Sequence, residues 1–318
     1  MAEPPYIYQP GDPSLPWPFS FPGLQTRGFP LMARLDLLTG VVNRLLNIAP
    51  EDEMGFRFTP LAPLVYLTLN TYPKMISDPL PYRNMGFITQ QELMVSIPVL
   101  RWEGDLPVEL ALFNPYLVVS APWSVITGRT VLGFPKVQGW FEVPDDLRNP
   151  YPFSVETMVF PKFSPDTRQS RKLLVTVSAV TGPLAAAGRI GPLGDIDNLF
   201  FYTQSPFPIT NKQVTELIET TTVEMRIQAI QLQQFRDAAQ PENAGYQAIT
   251  DSRMVVSLAA GASGPLPPAV VEFRAYDSLD IAGALGMGIG PLVCFFPYWL
   301  EGDTVLDDTR NLYRRCGA

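Results

Sequence analysis

The chain has 318 residues, 46% hydrophobic and only 17% charged, which is enough apolar side chain for one large domain with a real core. Acidic residues outnumber basic ones by 31 to 23, and this net charge of −8 argues against nucleic acid as a partner. The sequence contains no histidine, which removes Ser-His and Cys-His nucleophile pairs and the HExxH zinc motif.

Taken in chain order, Met1 to Pro30 carries two acids before its first base, Arg27, and has no uninterrupted apolar run, so no secretory signal is expected there. Residues 1–26 read as an aromatic and proline-rich arm lying across the domain or a neighbouring subunit. Leu35, Leu38, Val41, Val42, Leu45 and Leu46 recur at helical spacing and predict an amphipathic helix over 35–47.

Beyond residue 60 the pattern turns to strands. Leu64–Leu69, Leu93–Arg101, Leu117–Ser120, Val155–Phe160, Leu173–Val180, Met254–Ala259 and Val270–Tyr276 are short, β-branched and bounded by Pro, Gly or Asn. Asn211–Ile218 predicts a short helix with Asn211 as its N-cap. The 34 prolines suit strands joined by rigid turns better than a helical bundle. The expected class is therefore α+β, predominantly antiparallel β, as a barrel or sandwich with few helices.

Ile281–Leu300 is a stretch of 20 uncharged residues, the nominal length of a spanning helix. Its four glycines and two prolines would leave carbonyls unpaired in lipid, so a buried or subunit-covering segment is expected instead. The division is a domain over 27–280 and an apolar C-terminal extension over 281–318. Cys294 and Cys316 make neither a zinc ribbon nor a disulfide framework. They read as one buried and one tail thiol in a reducing, cytoplasmic setting. No metal site is expected.

Without imidazole, amine chemistry has five candidates: Lys74, Lys136, Lys162, Lys172 and Lys212. Four sit in polar or turn contexts and read as solvated charges. Lys136 follows Val131-Leu132-Gly133-Phe134-Pro135, and Val137 comes next, so both flanks are apolar. At the ordinary lysine pKa of about 10.4, roughly one amine in 10³ is neutral at pH 7. Desolvation penalises the ammonium form and raises that fraction, which would supply a nucleophile for ketones and aldehydes.

Gly128-Arg129-Thr130-Val131-Leu132-Gly133-Phe134-Pro135-Lys136 resembles the active-site segment of the acetoacetate decarboxylase family, in which aromatic-Pro-Lys supplies the Schiff-base lysine. Glu92, ahead of the Ile97-Pro98-Val99 run, falls on that family's pocket glutamate. Arg27, in Thr26-Arg27-Gly28-Phe29, falls on its N-terminal pocket arginine. The run Val271–Tyr276 looks like the family's closing strand.

The resemblance implies an acetoacetate decarboxylase-like β-barrel, a cofactor-free lyase and a likeness spanning roughly 20–280. It implies catalytic roles for Lys136 and Glu92. It also implies substrate contacts from Arg27 and Phe134, with Arg129 either joining them or fixing its own loop. The implied partner is a keto acid, and the implied assembly a homo-oligomer. Two departures stand out: Val137 replaces the second lysine of the decarboxylases, and Leu61–Thr71 offers no second glutamate. β-Keto acid decarboxylation and aldolase or dehydratase chemistry both stay open. So do a non-catalytic small-molecule-binding protein on the same fold and a membrane-associated accessory protein docking through Ile281–Leu300.

Overall fold

The computed structural model describes residues 5–7, 14–181, 226–288, 290–294 and 296–316, so the helix expected over Asn211–Ile218 lies outside the described residues. Along the described chain come β1 (Phe19–Met32), α1 (Leu35–Leu45), α2 (Glu51–Met54), β2 (Arg57–Pro60) and β3 (Leu64–Ser77). β4 (Ile88–Glu103), β5 (Leu106–Val119), α3 (Pro122–Thr127), β6 (Lys136–Glu142), β7 (Phe153–Val159) and β8 (Ser170–Ala179) follow. The last are β9 (Arg226–Arg236), β10 (Ala244–Pro265), β11 (Ala269–Phe273), α4 (Ile281–Leu285), β12 (Leu292–Cys294) and β13 (Tyr298–Cys316).

The strands are ordered β12-β11-β8-β7-β6-β5-β9-β10-β13-β1-β3-β4-β2, and β4 also pairs with β5. Pairing therefore runs from β5 through β9, β10, β13, β1, β3 and β4 and returns to β5. Among the described residues all pairings are antiparallel except two, and both exceptions involve β5. Ala111–Phe113 runs parallel with Gln228–Ile230 of β9, and Leu117–Val119 runs parallel with Lys136–Gln138 of β6. One edge of β5 thus forks between two strands while its other edge holds β4.

Strand alternation divides the molecule. On β3 and β4, Val65, Leu67, Leu69, Leu93, Val95 and Ile97 turn to a large apolar core. That core is completed by α1 through Leu38, Val41 and Val42 and by Val155, Val175 and Val271 of the second run of strands. The intervening residues of the same strands face a cavity on the other side. Each face is thus one parity of the sequence.

All seven expected strands and the helix at residue 35 are present, most strands with longer or shifted bounds, while the helix stops at Leu45 and the last strand at Phe273. Two boundaries are corrected. β1 starts at Phe19, so only the residues up to Pro18 can be an arm; Phe19, Phe21 and Leu24 are buried strand residues instead. Residues 298–316 are no appendage, because β13 pairs with β10 on one side and β1 on the other. Its charged sequence hid this: Leu300, Thr304 and Leu306 face the cavity while acids and arginines occupy other positions.

Ile281–Leu300 divides among α4, β12 and the start of β13. Among the described residues, no helix is long and apolar enough to cross a membrane. Cys294 is buried and Cys316 exposed, both as free thiols.

Candidate active site

Lys136 is the first residue of β6, and the segment before it fixes where its side chain goes. Pro122 opens α3, whose last turn widens into a looser helical turn over Gly128–Leu132. Gly133 then takes φ 79°, the left-handed region that suits glycine, and a Cβ there would lie 2.9 Å from Gln233 Cβ. The Phe134 N–H donates to the Gly128 carbonyl at 2.9 Å, and the Lys136 N–H donates to the Phe134 carbonyl at 2.7 Å. The Arg129 guanidinium, exposed itself, donates to the Lys136 carbonyl at 3.2 Å. Arg129 thus pins the strand start rather than entering the cavity.

The lysine stem crosses Gly128 so closely that a Cβ there would lie 2.6 Å from Lys136 Cδ. Lys136 is 7% exposed, and its ammonium reaches Glu92 Oε2 at 3.0 Å and donates to Ser124 Oγ at 2.9 Å. The Phe134 ring centroid lies 5.6 Å from Nζ, within cation–π range. Glu92 stands on β4 and Lys136 on β6, with β5 between them. On β5, Lys136 stands opposite Leu117, which lines the same cavity, and Glu92 opposite Val119, so the two long side chains meet diagonally across that strand.

Glu92 is 4% exposed and held from three further directions. The Tyr72 hydroxyl donates to Oε1 at 2.9 Å, the Asn70 amide donates to Oε1 at 3.3 Å, and the Gln90 amide donates to Oε2 at 3.2 Å. Burial, reinforced by the Glu92 charge, pushes the Tyr72 phenol well above its usual range, so it stays a proton-bearing donor. The centre is a buried ion pair whose carboxylate is fully hydrogen-bonded, the condition under which such a pair persists.

The pair opens onto a cavity of about 170 Å³. Its walls are largely apolar and come from β1, β3, β4, β5, β9, β10, β13 and α3. Among the described residues lining it, Lys136 and Glu92 are the charged ones. Among the described residues, no cluster of three or more thiol or carboxylate side chains is placed to hold a metal ion.

The structure brings Lys136, Glu92 and Phe134 together. Arg27 does not join them. Thr26 faces the cavity, so its neighbour on β1 turns to the other side of the sheet. There Arg27 is 1% exposed and donates from Nη2 to the Pro144 carbonyl at 3.0 Å. Burial lowers its guanidinium pKa below the ordinary arginine value, against the opposing pull of Asp146. The expected substrate contact from Arg27 is thereby corrected: pleat parity, which a sequence anchor does not carry, sends it away.

Sequence reasoning also missed Ser124, Asn70, Tyr72 and Gln90. A signal for three of them was present. Tyr66, Thr68, Asn70 and Tyr72 alternate with Val65, Leu67 and Leu69, and Gln90, Glu92 and Ser96 alternate with Leu93 and Val95. A polar residue at every second position of a strand marks one face turned to a polar site.

No protein-family model matches the chain, and no curated protein matches it. Solved structures do. An acetoacetate decarboxylase from Legionella pneumophila subsp. pneumophila str. Philadelphia 1 is similar over 99% of this chain and 93% of its own, with TM-score 0.58 and 13% identity. These likenesses define the fold: the chain has the acetoacetate decarboxylase fold.

An acetoacetate decarboxylase-like enzyme from Sphingomonas wittichii RW1 matches over 98% of both chains, with TM-score 0.53 and 12% identity. The enduracididine biosynthesis enzyme MppR, complexed with the condensation product of pyruvate and imidazole 4-carboxaldehyde, matches over 95% of this chain and 92% of its own. The TM-score is 0.54 at 12% identity.

Proposed function

We propose that this protein is a divergent member of the acetoacetate decarboxylase family, a cofactor-independent lyase acting on a keto acid through an imine on Lys136. One observation carries the proposal: a buried lysine amine, ion-paired at 3.0 Å to a buried carboxylate, opens onto an apolar cavity.

The ion pair is the resting state. Moving one proton from Nζ to Glu92 leaves a neutral amine and a carboxylic acid, with no net charge moved into or out of the site. The amine attacks the substrate carbonyl carbon, and loss of water leaves a protonated imine.

For a β-keto acid, the bond to the carboxylate carbon then breaks. Its electron pair flows into the imine nitrogen, giving an enamine, and carbon dioxide departs. The first Glu92 proton left with the departing water, so Glu92 takes up a proton from solvent and passes it to the enamine carbon; water then releases the ketone and regenerates the amine. A dry wall suits this step, because solvation and cations stabilise a carboxylate and slow its loss. Aldol chemistry would use the same enamine, and the condensation product bound in MppR supports keeping it beside decarboxylation.

The test is reductive trapping. Incubation with acetoacetate or a longer β-keto acid, followed by borohydride, is expected to add the mass of the reduced ketone adduct to the intact chain. Lys136→Ala abolishes that addition. A folded wild-type protein that gains no mass across a series of β-keto acids and their ketones would overturn the proposal.

A further inference from the structure

Beyond the reacting pair, the cavity continues along β3 to Thr68, two residues from Asn70 on the same face and so about 7 Å further on. Thr68 is 7% exposed, and its hydroxyl oxygen has no hydrogen-bond partner among the described residues. An orphaned buried hydroxyl costs stability unless something satisfies it.

Two phenols stand beside it. Thr68 pairs across β1 with Gly28, which pairs in turn with Tyr298 of β13. A Cβ at Gly28 would collide with the Tyr298 ring, so the phenol lies over that glycine and towards Thr68. Tyr66 lines the same region. Burial pushes the Tyr298 hydroxyl above its usual range, so it remains protonated.

The lining beside this hydroxyl is largely apolar, with Met94 opposite Thr68 and Leu300 opposite Thr26, next to Asn70. With Lys136 committed to the imine, no second cation among the described residues lines the cavity to hold a carboxylate. Thr304 carries the other orphaned hydroxyl that lines the cavity. Its register partners are Phe21 and Val256, which places it on the opposite side of the amine among apolar neighbours.

We propose that the substrate is a β-keto acid whose keto carbon carries an apolar chain ending in a hydroxyl or carbonyl oxygen, received by Thr68 in the company of Tyr298. This rests on the imine at Lys136. It makes Thr68 a specificity-determining residue that selects longer, oxygen-tipped substrates over short keto acids.

The experiment compares three carbonyl probes by borohydride trapping: methyl butyl ketone, its terminally hydroxylated analogue, and pyruvate. The hydroxylated ketone is expected to half-saturate at about a fivefold to tenfold lower concentration than the plain ketone, with pyruvate the weakest. Thr68→Val removes the advantage of the hydroxyl, Thr68→Ser keeps it, and Thr304→Val leaves it unchanged.

Pyruvate trapping at the lowest concentration would overturn the proposal while the imine stands. So would an advantage that survives Thr68→Val. If no probe forms an adduct, the amine reading falls. Calorimetric titration of the same probes then decides the cavity reading, which holds if the order and its dependence on Thr68 are the same and fails if they are not.

Discussion

The Lys136 amine and the Glu92 carboxylate each need the other to remain charged away from water. Breaking a buried pair from one side leaves an uncompensated charge, a loss of about 3–5 kcal/mol in comparable cases. Glu92→Gln keeps the shape and the acceptor for Tyr72 but removes the counter-charge, which favours the neutral amine. Imine formation should therefore survive while relay of a solvent proton to the enamine carbon fails. The expected outcome is a trapped adduct of wild-type yield with turnover reduced by about 10²-fold or more. Loss of both together would mean that Glu92 only positions the lysine.

At the scale of elements, the turn between α3 and β6 aims the lysine. Gly128 is helical in backbone, so alanine suits its conformation, but the added methyl would occupy the path of the Lys136 stem. Gly128→Ala is expected to cut turnover by roughly 10²-fold through displacement of the amine, and to lower the melting temperature because the pair with Glu92 is broken with it. Unaltered turnover would show that the lysine can reach Glu92 by another path.

This turn is also where the sequence was most informative. Gly-Arg and Phe-Pro-Lys are contiguous, so their geometry is local and survives in the order of residues. Arg27 is the opposite case. Its place in the chain matched an anchor, but one step of pleat decides whether a strand residue meets the cavity or the core, and no local motif records that step. β13 escaped notice for a related reason. A strand whose inner face lines a cavity and whose outer positions carry charge lacks the apolar run that announces a buried strand.

On the scale of the whole molecule, a polar cluster ties the strand circuit from outside. Asp251 of β10 is 3% exposed and accepts from Arg310 of β13 at 2.8 and 3.0 Å. Glu109 of β5 accepts from Arg101 of β4 at 2.9 Å, and Arg310 approaches it at 3.9 Å. Burial raises both carboxyl groups above their ordinary range despite the arginines. The folded state therefore holds these protons more tightly than the unfolded chain. The contribution of each group to stability is greatest below the ordinary carboxylate value and is lost as pH rises through the raised one. Urea unfolding of wild type and Asp251→Asn from pH 4 to 7 should show the wild type losing ground relative to the variant as pH increases. A constant or reversed difference would contradict that assignment.

The fork on β5 also imposes an order of assembly. β4 and β5 meet through a hairpin, a local pairing that closes quickly. The other edge of β5 waits for β6 and for β9, and Ala111 finds Gln228 only across a long stretch of intervening chain. Lys136 stands at the first rung between β5 and β6, so its amine leaves water only as that fork fills. A nascent chain that has not yet emerged as far as β9 already carries the lysine, but lacks the enclosure that dries it. Enclosure of this residue is thus completed only with the long-range pairing of β5 to β9, late in the chain.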